Sequence, residues 1–259
     1  MPERTESSAR TIGSVDRAAS VLKLFVDSQA PSLGVTEIAN ELNLSKAVVH
    51  RVLSSLREAE FIELDPGTRR YQLGYGALSL GLAYLDRMDL RDRVRPSLEK
   101  LREATGETAT LSVRHGYQRV YLDQALPASE IRMTVALGRP YPLHAGSSSK
   151  AFLAFLPDAE QTKYLSSSLE VLTESTLVDV GALRKELAMI RGRGYARSFG
   201  ERQPGAGSVA APVFDFDGRA VAVISVCGPV ERFRSRADSA AKQLLAETRE
   251  LSRRLGFKW

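Results

Sequence analysis

The stretch Ser45-Lys46-Ala47-Val48-Val49-His50-Arg51-Val52-Leu53-Ser54-Ser55-Leu56 decides the fold of the first part of the chain. Val49, Val52, Leu53 and Leu56 recur at i, i+3, i+4 and i+7, the spacing that stacks side chains on one face of an α-helix. Ser45 has the side chain of an N-cap, so a helix is predicted from Lys46 to about Ala59 with those four apolar residues buried. At roughly 100° per residue, Ala47, His50, Arg51 and Ser54 fall opposite the buried face, and Lys46 sits in the first turn. These groups are small, hydrogen-bonding or cationic. This helix alone is equally compatible with an ordinary solvated face.

Its neighbours separate the two readings. Upstream, Ser14 offers an N-cap, and Val15, Ala18, Leu22, Phe25 and Val26 keep helical spacing through Asp27. The run 28–34, with Pro31 and Gly34, breaks that helix. Thr36 is then expected to cap a short second helix with Ile38, Ala39 and Leu42 inside, followed by the turn Asn43-Leu44-Ser45. Two short helices joined by a tight turn form a helix-turn-helix, whose second member enters a major groove. Downstream, Phe61-Ile62-Glu63-Leu64 alternates as a strand, Asp65-Pro66-Gly67 turns, and 68–73 returns as a second strand. A hairpin directly after the recognition helix is a wing, and Arg69 and Arg70 lie just past its tip, within reach of backbone phosphate or an adjacent minor groove. Residues 14–74 therefore read as a winged helix-turn-helix domain, preceded by a flexible polar tail over 1–13. The expected partner is double-stranded operator DNA, met by Lys46, Ala47, His50, Arg51, Ser54, Arg69 and Arg70.

The segments Ser14-Val15-Asp16-Arg17-Ala18, Glu37-Ile38-Ala39, Leu44-Ser45, His50-Arg51-Val52-Leu53 and Tyr71-Gln72-Leu73-Gly74 resemble the IclR family of bacterial transcription regulators. Members often carry hydroxyl residues where this chain has Ala47 and Val48. After Gly74, residues 75–88 read as a linking helix with Leu78, Leu82 and Leu85 on one face, interrupted by Gly76 and Gly81. The resemblance implies that this stripe meets the same segment of a second subunit, as a dimer or a dimer of dimers. Packing on its own domain is the alternative. The basic cluster Arg87, Arg91, Arg93 and Arg95 marks the boundary to a second domain, 89–259.

There a helix is expected over 90–105, ended by Gly106. Strands follow at 108–114, 120–125 and 131–137, the last from alternation at Ile131, Met133 and Val135. Helical stretches surround 152–156 and 180–191, further strands run over 208–214 and 219–227, and a final helix covers about 236–255. Strands grouped around helices give an α+β domain. The family resemblance extends to Gly138-Arg139-Pro140, Leu143-His144-Ala145 and Lys150-Ala151, and to the signature running from Gly194 through Ser198, Glu201 and Ser208 to Asp215. It covers about 12–255 and implies a GAF-like effector-binding domain, with Gly146, Ser147, Ser148, Ser198, Glu201, Ser208, Ser225 and Cys227 around a small-molecule pocket. Ser198 replaces a frequent aspartate and Ser208 a frequent cysteine, which lowers the negative charge and favours an organic or aromatic carboxylic acid.

Two other chemistries find partial matches in the sequence. Ser147-Ser148-Ser149-Lys150 satisfies the Ser-x-x-Lys pattern of acyl enzymes, but the partner motifs Ser-Asp-Asn and Lys-Thr-Gly are absent. Successive serines at a helix start instead expose N–H groups and hydroxyls to an anion. His50, His115 and His144 lie in three unrelated contexts, and Cys227 is the single cysteine, so neither a zinc site nor a disulfide is expected. A winged fold that meets protein instead of DNA is a further alternative. The sequence thus implies no cofactor and no enzyme.

Composition bounds these readings. The 259 residues, 43% hydrophobic and 26% charged, are those of an ordinary globular protein. One cysteine, no secretory pattern and no long apolar run point to a cytoplasmic protein without a membrane partner. The formal net charge of +5 suggests a phosphate partner, but residues 1–88 carry 10 Lys and Arg against 11 acids, while 89–259 carry 26 against 20. The DNA-facing charge is local: no acid lies between Lys46, Arg51 and Arg57. The chain is expected to be an effector-controlled regulator, a repressor in preference to an activator.

Overall fold

The structure is a computed structural model and describes residues 13–28, 30–86 and 89–258. The tail 1–12, Arg87 and the side chain of Leu85 lie outside the described residues. The chain divides into two compact units that meet between Met88 and Asp89.

The first unit contains α1 (Gly13–Asp27), α2 (Val35–Glu41), α3 (Lys46–Glu58), β1 (Ile62–Leu64), β2 (Tyr71–Leu73) and α4 (Tyr75–Asp86). Val21, Ile38, Val49, Leu53 and Ile62 are fully buried, with Phe25, Leu56 and Tyr71 closing the same cluster. Each such side chain removed from water stabilises the fold by about 1.5 to 3 kcal/mol. Val52 is only half-buried. The Ser45 hydroxyl accepts from the Val48 N–H at 3.4 Å, the cap that the sequence pattern calls for. Two other caps differ from expectation. α1 already includes Gly13, so Ser14 lies inside it. α2 starts at Val35 because the Glu37 carboxylate reaches back to the Gly34 N–H at 3.0 Å, which closes the first turn ahead of Thr36. β1 and β2 pair antiparallel, and Gly34 leads from the short bridge Leu33–Tyr71 that ties the hairpin to the helices.

The second unit contains α5 (Asp89–Thr105), β3 (Thr108–His115), β4 (Gln118–Ala125), β5 (Pro140–Pro142), α6 (Ser147–Ala154), α7 (Asp158–Leu165), α8 (Val180–Arg193), β6 (Ala196–Phe199), β7 (Ala206–Phe214), β8 (Ala220–Pro229), α9 (Val230–Phe233) and α10 (Ala237–Arg254). The strands form one antiparallel sheet in the order β5-β4-β3-β8-β7-β6. One face is apolar: Leu111, Val209, Val213, Ile224 and Val226 pack with Val94, Leu98 and Leu101 of α5 and with Ala240, Ala241 and Leu244 of α10. Over the other face, Phe152 and Leu153 of α6 join Leu183, Leu187 and Ile190 of α8. The arginines at the boundary are drawn in by one acid: Asp123 meets Arg91 at 3.4 Å and Arg95 at 3.0 Å.

The structure departs from the sequence reading in two places. β5, β6 and α7 are short elements that no periodic pattern announced. The proposed strand 131–137 is not in the ladder; only the single bridge Tyr121–Leu137 touches it. Its alternation has another cause, since Met133 and Val135 face a cavity while Ile131 is 72% exposed.

Candidate functional site

On α3 the faces separate as the periodicity requires. Lys46, Ala47, His50, Arg51, Ser54 and Arg57 are all exposed, and Val49, Leu53 and Leu56 are buried. No acidic residue lies on the helix before Glu58. A surface with two cations, an imidazole and a hydroxyl at the N-terminal half of such a helix is chemically suited to phosphates and major-groove base edges.

The wing is built by side-chain hydrogen bonds. Asp65 accepts from the Gly67 N–H at 2.8 Å and from the Thr68 hydroxyl at 2.7 Å, which holds its carboxyl below the usual range and fixes the turn. Arg69 takes φ of +58°, a left-handed conformation, and is exposed. Arg70 is engaged within the unit. Its guanidinium forks onto Glu37 at 3.0 and 2.7 Å and donates to the Ser32 carbonyl at 2.9 Å and hydroxyl at 3.0 Å. Glu37 is held below its ordinary pKa chiefly by that bond, then by the Gly34 N–H. Arg70 therefore fastens the wing to α2, and its charge is already neutralised, unlike that of Arg69.

In the second unit the candidate residues gather on one face of the sheet. Ser198, Ser208, Cys227 and Thr108 lie opposite one another across β6, β7, β8 and β3. Alternate positions on the same face bring Thr110 beside Ser225, with 2.6 Å between their hydroxyls. Arg119 and Tyr121 of β4 occupy the same face. The N-terminus of α6 closes it: Gly146, at φ +89°, turns the chain there, and the Ser147 hydroxyl donates to Ser208 at 2.7 Å. Among the described residues the Ser147 and Ser148 N–H groups have no acceptor, as the first turn of a helix leaves them.

The enclosed cavity is small, about 30 Å³, and all eight expected pocket residues line it. That is room for roughly one or two waters. The segment 126–139 is fastened over it. Thr108 donates to the Met133 carbonyl at 2.6 Å, Gln124 exchanges hydrogen bonds with the Val135 backbone at 3.1 and 3.0 Å, and Arg232 donates to the Ile131 carbonyl at 2.9 Å. Arg232 is set by the buried Glu107 carboxylate at 2.7 and 2.9 Å, which lies so close to Gly228 that a Cβ there would collide with it.

Charge in this site follows a different plan from the sequence expectation. Glu201 lines the cavity but is spent: it accepts from Lys150 Nζ at 2.5 Å and from the Gly146 N–H at 3.1 Å. Sequence reasoning missed two cationic lining residues, Arg119 and Arg202, together with Tyr121. Arg119 is 1% exposed and donates to Ser149 at 2.8 Å, Ser112 at 3.4 Å and Tyr121 at 3.0 Å. Arg119 and Arg202 both stack on Tyr141, at 5.0 and 4.8 Å from its ring centre. Burial pushes the Cys227 thiol up to about 12, against the pull of these two guanidinium groups.

The acyl-enzyme geometry is absent from this cluster, because Lys150 is salt-bridged to Glu201 and Glu186 while Ser147 gives its proton to Ser208. His144 is a satisfied core residue, bonded to the Tyr164 hydroxyl and the Glu170 carbonyl, each at 2.8 Å. Among the described residues no three His, Cys, Asp or Glu side chains gather to hold a metal ion, and no helix is long and apolar enough to cross a membrane.

Comparison with known proteins matches two stretches of the chain to family models. Residues 14–66 match the IclR helix-turn-helix domain, and residues 82–253 match the family described as bacterial transcriptional regulator IclR C-terminal. The HTH-type transcriptional regulator BhcR of Paracoccus denitrificans (strain Pd 1222) is 39% identical over 93% of this chain and 86% of its own. The HTH-type transcriptional repressor AllR of Escherichia coli (strain K12) is 30% identical over 94% of this chain and 90% of its own. The crystal structure of an IclR transcriptional regulator from Alicyclobacillus acidocaldarius superposes with a TM-score of 0.85 at 29% identity, covering 95% of this chain and all of that one. With a helix-turn-helix domain and an IclR C-terminal domain in one chain, the protein belongs to the IclR family of transcription regulators.

Proposed function

We propose that this regulator represses transcription from an operator that it reads with α3, and that an organic or aromatic carboxylic acid bound in the cavity changes its DNA affinity. Lys46, Ala47, His50, Arg51 and Ser54 face the groove and Arg69 the flanking backbone; Arg70 contributes by positioning the wing on α2. The single observation that carries the ligand class is the polar sheet face closed by the α6 N-terminus. It offers hydroxyls at Ser147, Ser148, Ser198, Ser208 and Ser225, and its one lining carboxylate is neutralised by Lys150. Helix N-terminal N–H groups favour an anion at this place. Gly146 and Cys227 complete the wall.

The protein works as a homodimer or a dimer of dimers in the cytoplasm. Support comes from α4, where Tyr75, Leu78, Leu80 and Leu82 are 66%, 56%, 60% and 48% exposed within their own unit. Such a surface calls for a partner, and a two-fold pair of recognition helices suits half-sites about one helical turn apart. No catalytic role is assigned to Ser147 or Lys150.

Gel shifts on the DNA upstream of the protein's own gene, repeated with a panel of carboxylates, test the reading. Effector coupling of about 1 to 3 kcal/mol moves operator affinity by roughly 5- to 150-fold. If no acid alters either DNA affinity or thermal stability, the effector reading fails. If no DNA shifts at all and Arg51→Ala changes nothing, a protein-binding role for the winged domain takes its place.

A further inference from the structure

We propose that Arg119 is the specificity-determining residue of the effector cavity: its buried guanidinium demands a carboxylate and rejects the matching amide. This rests on the reading of the cavity as the effector site. Arginine is almost never fully buried unless paired, yet Arg119 is among the largest fully buried side chains of the protein and meets no carboxylate among the described residues. Its three acceptors are neutral hydroxyls, and a guanidinium has five N–H donors in a planar fork. Donor capacity and charge are both left over.

The surrounding acids are committed elsewhere. Glu201 holds Lys150 and the Gly146 N–H, Glu186 holds Arg193 at 2.8 Å and Lys150 at 3.6 Å, and Glu107 holds Arg232. Arg202, which also stacks on Tyr141, adds a like charge. Burial and that neighbour disfavour the charged form of Arg119, but a guanidinium remains protonated in proteins. A packing role alone would be filled as well by a long apolar side chain, with no charge to bury. What the group offers that an apolar chain does not is a bidentate, charge-assisted grip on a carboxylate. Ser149 connects the grip to α6: its hydroxyl accepts from Arg119 Nε, while Ser147 and Ser148, in the first turn of the same helix, line the cavity. A ligand carboxylate can thus be met from the sheet by the fork and from the helix by N–H groups. An amide brings one acceptor oxygen, no charge, and an NH₂ that opposes the donors.

The test uses the full-length protein and calorimetric titration with monocarboxylates from glycolate and pyruvate to benzoate, each paired with its own amide. The expected result is binding of at least one acid over its amide. Arg119→Gln then weakens the acid by about 10- to 100-fold and leaves the amide unchanged, so the acid-to-amide ratio falls by the same factor. Operator binding without added acid reports that the variant has folded. If Arg119→Gln loses it, Arg119→Lys carries the test, since a point charge replaces the fork, and a fall in the ratio is again expected. A wild-type ratio in either folded variant overturns the role of Arg119 while leaving the effector cavity in place. Binding of no acid by the wild-type protein overturns the effector reading and this proposal with it.

Discussion

The two units keep their candidate binding residues on opposite sides of the water boundary. On α3, Lys46, His50, Arg51 and Ser54 are exposed, and the residues that hold the helix, Val49, Leu53 and Leu56, are different ones. In the sheet, Arg119, Ser147, Ser148, Ser198 and Ser225 are all 4% exposed or less and belong to the packed interior. A surface site can be altered without consulting the core. A buried polar site cannot, because every group in it needs a partner or costs stability. Substitutions should therefore separate binding from folding in the first unit and entangle them in the second.

The largest effect is expected at Gly228→Ala. A Cβ there meets the buried Glu107 carboxylate and forces apart its pair with the partly exposed Arg232, which also holds the segment over the cavity. Overpacking and loss of the pair together should cost about 3 kcal/mol or more in denaturant unfolding of the second unit. A stability within 1 kcal/mol of wild type, taken as a rough threshold, would show that this interior yields like a surface.

Next comes Arg51→Ala, with a loss of about 1 to 3 kcal/mol in operator affinity, a shallower salt dependence if the contact is to phosphate, and an unchanged unfolding midpoint. A drop in stability of similar size would break the separation claimed for α3. Ser45→Ala probes the point where fold and function meet in that helix: removal of the cap to the Val48 N–H should cost about 1 kcal/mol in unfolding and weaken operator binding only secondarily.

The smallest effect concerns the wing. The Glu37 carboxyl is held below its ordinary pKa by Arg70, so the stabilisation is present above the usual carboxylate range and disappears as pH falls through that range. Both groups are exposed and the gain is screened by solvent. Acid titration of the first unit should show a slight loss that Glu37→Gln removes, and a pH response unaltered by Glu37→Gln would leave Arg70 free to act as Arg69 does.

The same contrast explains what the amino-acid order disclosed. α3 was legible because Val49, Leu53 and Leu56 repeat against a polar face, and the wing because Asp65-Pro66-Gly67 carries its own turn chemistry. The pairing of Arg70 with Glu37 was not legible, because the two lie 33 residues apart and no local pattern joins them. The serines of the cavity were found through the family resemblance, and the Ser-Ser-Ser run at α6 pointed to an anion on its own. Arg119 stayed hidden. On β4 it alternates like any outward-facing charged residue, and only the covering of that face by α6 and the 126–139 segment turns the polar positions inward. Ile131–Leu137 failed for the converse reason: alternation records which side is buried, whether or not a neighbouring strand supplies hydrogen bonds.

Cys227 makes the closed cavity observable in time. It is the single cysteine of the chain, 8% exposed, with its thiol pushed up to about 12, so near neutral pH it offers thiol reagents neither access nor thiolate. Modification then requires the walls to part, and its rate counts openings in the way amide exchange counts local unfolding. Since a carboxylic acid of several heavy atoms needs more room than the one or two waters that the cavity holds, the same openings limit its entry. The response of the regulator to a sudden rise in effector would be timed by the protein's own motion, and a single sulfur atom keeps the clock.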